Sequence, residues 1–140
     1  WFNDKDVRDN SFNRIAIDHK QHQEWFQLRL SNPSRYKLYV AYVYECIPIG
    51  QVRFEKTSAG WKINYSLDSL FRGCGIGRTL VEGAIRRFQN EVGNSNIIAE
   101  VIVSNSRSTR ILEEIGFRAI PSMKKGSICY CLFVSRENLS

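Results

Sequence analysis

No stretch of this 140-residue chain approaches the length and apolar purity of a membrane span, and its first residues lack the charged and apolar regions of a signal peptide. Histidine is scarce. Only His19 and His22 occur, and neither keeps metal-ligand spacing with cysteines or carboxylates, so no metal site is expected. The four cysteines, Cys46, Cys74, Cys129 and Cys131, include no C-x-x-C pair. Cys129 and Cys131 stand two apart on one face of a candidate strand, which is poor geometry for a mutual disulfide. Reduced thiols fit a reducing cytoplasm, and the expectation is a soluble cytoplasmic chain with no membrane partner. Also missing is any basic tract: 20 Lys and Arg against 14 Asp and Glu give a net charge of +6, spread along the chain. That pattern suggests a phosphorylated partner without singling out nucleic acid, and because the aromatics alternate as in a core with no basic stripe beside them, no nucleic-acid partner is expected. With no repeat, low-complexity tract or linker, one domain over residues 1–140 is expected, and a 43% apolar content can fill its core.

Residues Asp4–Phe12 and His19–Ser31 read as short helices, the second turning Trp25, Phe26 and Leu28 inward before Asn32-Pro33-Ser34 ends it. Three β-rich runs follow, YKLYVAYVYE from Tyr36, IGQVRFE from Ile49 and WKINYSL from Trp61. Turn signals at Pro48 and Ala59-Gly60 separate them, as in an antiparallel meander. Ile76, Leu80, Val81, Ala84, Ile85, Phe88 and Val92 mark one face of a helix that Gly93 closes. The nearly continuous apolar run Ile97–Val103 predicts a strand buried on both faces. A helix from Ser106 to Ile115, a strand from Phe117, a turn at Lys124–Gly126 and a final strand SICYCLFV complete an α/β sheet of mixed direction. Because Trp1 opens in what reads as the middle of an element, a first strand or an upstream domain is expected before it.

The segment FRGCGIGRTLVEGAI, Phe71–Ile85, places Gly73, Gly75 and Gly77 at alternate positions before the helix. Such a cluster lets a ligand approach the main chain, and the unpartnered N–H groups of a helix's first turn favour an anion. A dinucleotide fingerprint would need glycine where Arg78 stands, and a P-loop would need Gly-Lys-Ser/Thr where Gly77-Arg78-Thr79 stands. What remains is Arg72-x-x-Gly75-x-Gly77 between a strand and a helix. At these residues the chain resembles the GNAT superfamily of acyl-CoA-dependent N-acyltransferases. A second stretch, AEVIVSNSRSTRILEEIGF, is similar to that superfamily's later signature, with Asn105, Ser108 and Gly116-Phe117 at the matching positions.

The resemblance implies a central, mostly antiparallel mixed sheet with flanking helices, whose first strand would precede this chain. It implies acetyl-CoA as cosubstrate, held by Leu67, Arg72, Gly73, Cys74, Gly75, Ile76, Gly77, Arg78, Asn105 and Ser108. The Leu67 backbone N–H would polarise the thioester carbonyl. Glu100 would be the general base, its pKa raised by burial, unless it is a salt-bridged strand residue instead. The tyrosine that often protonates the leaving thiolate is replaced by Leu112, leaving Tyr65 or water for that role. Upstream, VRDNSFN and HQEWF look like the acceptor-side helices of members that acetylate nucleotide-linked amino sugars. Arg8, Asn10, Ser11, Phe12, His22 and Arg53 would then form the acceptor rim. A protein N-terminal amine, as in the ribosomal-protein branch, and a non-catalytic acyl-CoA-binding module remain alternatives. Homodimerisation or fusion to an upstream domain is also left open.

Overall fold

The computed structural model describes residues 19–133. In chain order these are α1 (His19–Leu30), β1 (Tyr36–Val43), β2 (Ile47–Thr57), β3 (Gly60–Leu67), a 3-10 turn at Ser69–Phe71, α2 (Ile76–Val92), β4 (Ile97–Ile102), α3 (Ser106–Ile115), β5 (Arg118–Ile120) and β6 (Ser127–Leu132). The six strands form one open sheet in the order β1-β2-β3-β4-β6-β5. Every neighbouring pair is antiparallel except β3 and β4, which run parallel. The helix expected at Asp4–Phe12 lies outside the described residues.

Alternation along the strands decides which face is buried. Val52 and Phe54 of β2, Trp61 and Ile63 of β3, and Ile97, Ala99 and Val101 of β4 face Val81, Ala84, Ile85 and Phe88 of α2 and Leu112 of α3. Phe88 is the hub: its ring stacks on Phe54 at 4.1 Å and meets Trp61 edge-on at 5.0 Å. Its complete burial is worth about 2–3 kcal/mol. α2 stops at Gly93, whose φ of 93° suits a residue without a Cβ and whose N–H reaches Gln89 O at 2.9 Å. α3 begins where the Asn105 side chain accepts the Ser108 N–H at 3.2 Å, and ends at Gly116.

Four sequence expectations need correction. Leu28 of α1, expected to turn inward, is 61% exposed, while Phe26 of the same helix is half-buried. β4 is not buried on both faces: Ile98, Glu100 and Ile102 alternate with its core residues and stay partly exposed, since the helices packed on the core cover only one side of the sheet. Pro48 does not mark the hairpin turn. It sits inside β2 opposite Tyr42, beside a register shift, while the turn falls at Tyr44 and Glu45 with φ of 52° and 62°. Phe117 precedes its strand, buried in the core, with its N–H on Leu112 O at 2.9 Å.

Candidate active site

The seam between β3 and β4 holds for only two residue pairs, Trp61 with Ile97 and Lys62 with Ile98. Beyond them β3 continues to Leu67 on β2, and β4 continues to Ile102 on β6, so each strand keeps its outer ladder while the two part. Strand alternation then aims a donor into the gap. The N–H of Asp68 turns outward to Ile49 O at 2.7 Å, so the N–H of Leu67, one residue earlier, points the opposite way. Tyr65 crosses the gap, its hydroxyl donating to Ser108 Oγ at 2.8 Å. Burial raises the pKa of Tyr65, and the Ser108 bond partly offsets that rise. Ser108 is itself tied to Asn105, so residues of two elements meet where the strands part.

After Leu67 the chain makes its turn, with Asp68 accepting the Leu70 N–H at 3.0 Å. Arg72 folds back, its Nε donating to Leu67 O at 2.9 Å, and so braces the loop against the end of β3. Gly73 and Gly75 both have φ of 78°, and a Cβ added to either would meet nothing within 4 Å. Gly75 caps α2 with no side-chain hydrogen bond, so no side chain of the cap competes for the first-turn N–H groups. The open space where a Cβ would stand at Gly73 and Gly75, beside a helix N-terminus, leaves room for the anion that the resemblance implies. Cys74 is exposed in the same loop, with Sγ 3.7 Å from Arg72 O, and Ile76 is half-buried at the start of α2.

Gly77 serves helix packing as well, because a Cβ there would come within 3.0 Å of Ile111 Cδ1 on α3. The guanidinium of Arg78 is drawn to Glu82 at 2.9 Å and Glu114 at 3.6 Å, which leaves its backbone as its contribution to the loop. Leu112 is fully buried in the core.

Glu100 and the acceptor-side candidate Arg53 lie on the opposite face of the sheet. Glu100 is 27% exposed and pairs with Lys62, Oε2 to Nζ at 3.2 Å. The burial expected for it is therefore incomplete, and the salt-bridged alternative describes its surroundings. The reason is position: Glu100 sits on the side of β4 away from α2 and α3. A cavity of about 420 Å³ opens on this face between α1 and β1–β3, lined by Phe26, Tyr36, Arg53, Glu55, Lys62 and Asn64 among others. Cross-strand register sets Arg53 opposite Asn64 and Glu55 opposite Lys62. Of the anticipated acceptor rim, Arg53 is in this wall. His22 belongs to α1, but its side chain, like all of Arg8, Asn10, Ser11 and Phe12, lies outside the described residues. Lys62, Glu55 and Asn64 were not anticipated, although the alternation of WKINYS and VRFE marks them as the face opposite Trp61, Ile63 and Phe54. Among the described residues no group of three His, Cys, Asp or Glu could hold a metal ion, and no helix is long and apolar enough to cross a membrane.

A mixed sheet parted at one parallel seam, with a glycine-opened helix at the mouth of the gap, defines an acyltransferase architecture. The model of the acetyltransferase (GNAT) domain matches residues 1–118, and the chain belongs to that family as an N-acetyltransferase. No curated protein sequence matches it. Among solved structures, a domain from Methanocaldococcus jannaschii superposes with TM-score 0.79 at 16% identity, covering 96% of this chain and 88% of that one. The ribosomal-protein-S5-alanine acetyltransferase of Vibrio fischeri gives TM-score 0.70 at 23% identity, covering 84% and 76%. The Campylobacter jejuni N-acetyltransferase PseH, solved with acetyl coenzyme A, gives TM-score 0.70 at 17% identity, covering 85% and 84%. At such identities the likeness is one of fold.

Proposed function

We propose that this domain transfers an acetyl group from acetyl-CoA to the primary amine of a nucleotide-linked amino sugar. The cosubstrate reading rests on the cradle at Gly73–Arg78 and on neighbours of the same fold solved with coenzyme A or acetyl-CoA. The acceptor reading rests on one observation: the cavity between α1 and the sheet combines aromatic walls, Phe26 and Tyr36, with the cations Arg53 and Lys62. Aromatic rings suit a base or sugar, and guanidinium and ammonium suit phosphate. The same cavity reaches the candidate base through Lys62.

The chemistry divides among named groups. Glu100 takes a proton from the acceptor's ammonium, and the freed nitrogen lone pair attacks the thioester carbonyl carbon. The Leu67 N–H donates to the oxygen on which charge develops, a fixed dipole that needs no reorganisation. As the carbon–sulfur bond breaks, Tyr65 gives its hydroxyl proton to the thiolate, and the proton that the acylated nitrogen must still lose returns to the tyrosinate, directly or through water, so that amide, free thiol and neutral Tyr65 remain. Held by both faces of the sheet, amine and thioester react as neighbours.

The test is thiol release from acetyl-CoA with three acceptors: a nucleotide-linked 4-amino sugar, the same free sugar and an N-terminal peptide. The nucleotide form should have the highest kcat/KM, with both kcat and KM worse for the free sugar, because remote binding energy is used in the transition state. A peptide that outperforms it moves the assignment to ribosomal-protein-type acetylation. Coenzyme A binding with no thiol release from any amine makes the domain a binding module.

A further inference from the structure

The Lys62–Glu100 pair joins the cavity to the candidate base. Lys62 is the last β3 residue paired with β4 before the strands separate, and its register partner is Ile98. Glu100 stands two residues further along β4, so the ammonium reaches along the seam to meet it at 3.2 Å. The same lysine lines the cavity with Arg53 and Asn64, and Glu55 faces it across β2. Its side chain is 36% exposed and that of Glu100 27%. A pair as open as this is only weakly held. A lysine head is also a compact charge on a flexible stem that can change partners.

We propose that Lys62 is an anion-responsive positioning residue: it holds Glu100 until the acceptor's phosphate enters the cavity, then moves to that phosphate and leaves the carboxylate open to the amine. The inference rests on the acceptor reading above and deepens it, because it ties the availability of the base to the anionic part of the substrate. While Lys62 Nζ sits on Glu100 Oε2, the ammonium occupies the place the amine must reach. A phosphate carries more charge than a single carboxylate and accepts charge-assisted bonds from Lys62 and Arg53 together. The exchange breaks one weak pair and forms a stronger one. It also gives the acceptor's remote phosphate an effect on rate, since base and amine meet only when the anion is seated.

Binding of uridine diphosphate in the presence of saturating coenzyme A, which fills the glycine cradle, tests this by calorimetry. Glu100→Gln should tighten uridine diphosphate about three- to tenfold, because the ammonium loses the carboxylate it is paired with and keeps only Glu55 across β2. Lys62→Gln should weaken binding by at least as much, Lys62→Arg should retain most of it, and the double variant should match Lys62→Gln alone. A merely structural pair would show no tightening. Unchanged or weaker binding in Glu100→Gln, or unchanged binding in Lys62→Gln, overturns the exchange. Inorganic pyrophosphate separates the two readings. If it binds and shows the cycle while uridine diphosphate does not bind, the exchange stands and the nucleotide acceptor falls. If neither anion binds, both fall.

Discussion

Replacing Gly75 by alanine separates the cost of the loop's backbone from its use. The residue has φ of 78°, a region in which an L side chain costs roughly 1–2 kcal/mol. A Cβ there would meet nothing within 4 Å, so no clash adds to that figure. Gly75→Ala should therefore lower unfolding stability by about 1–2 kcal/mol. Gly73→Ala, at the same φ and in equally open space, should cost about as much. Gly83 supplies the opposite control: it lies exposed inside α2 with nothing near its Cβ position, and Gly83→Ala should stabilise by about 1 kcal/mol. Backbone strain is present with and without ligand, so it cancels from an affinity. A methyl group in the path of the pyrophosphate does not. Coenzyme A affinity should fall at least about 100-fold in Gly75→Ala, equivalent to about 2.7 kcal/mol, while Gly83→Ala leaves it unchanged. Urea denaturation supplies the first quantity and titration calorimetry the second. If Gly75→Ala shows the stability loss and binds coenzyme A within twofold of the parent, the cradle does not hold the phosphates.

Three further outcomes follow from the geometry. Glu100→Gln should lower kcat about 100-fold or more with KM little changed; a folded variant with near-normal turnover at neutral pH makes Glu100 structural. Tyr39 has its pKa pushed up to about 12 by burial and then by its bond to Glu91 at 2.9 Å, with Arg87 opposing. A folded value above the unfolded one means its contribution is complete below about pH 10 and is lost as pH rises toward 12. The urea midpoint should thus fall less steeply across that window in Tyr39→Phe than in the parent, and parallel slopes would contradict the assignment. Asn105→Ala should cost about 1 kcal/mol through loss of the α3 cap, and Asn105→Asp should recover most of it in the same denaturation assay.

The glycine cluster and the helix face from Ile76 to Val92 were legible because each is a local pattern: positive φ at a turn, and apolar spacing of 3.6 residues. The strand WKINYSL was legible for the same reason, by its period of two. Its partners were not. Nothing in the spacing of Lys62 and Glu100, 38 residues apart, says that the parallel seam ends beside them. The apolar run of Ile97–Val103 misled because composition counts apolar residues without saying how many layers cover them. Pro48 misled too, since a proline beside a register shift near the sheet's edge strand is tolerated inside β2. Gly77 illustrates overlap: one small residue answers both a loop pattern and the approach of Ile111.

The two-pair seam also divides the sheet mechanically. On one side, β1, β2 and β3 are laced by antiparallel hydrogen bonds; on the other, β4, β6 and β5 are laced in the same way. Between them stand two residue pairs, with Trp61 and Phe88 beneath. Opening that short seam breaks few strand hydrogen bonds, and what resists it is the buried packing of Trp61, Ile97 and Phe88 beneath. The amides of Tyr65 and Leu67, pointing into the cleft and not into the β2 ladder, should therefore exchange sooner than those of the outer ladders. Width at the cleft is thereby set by few strand bonds and by the aromatic packing of Trp61 on Phe88, while antiparallel ladders hold each flank.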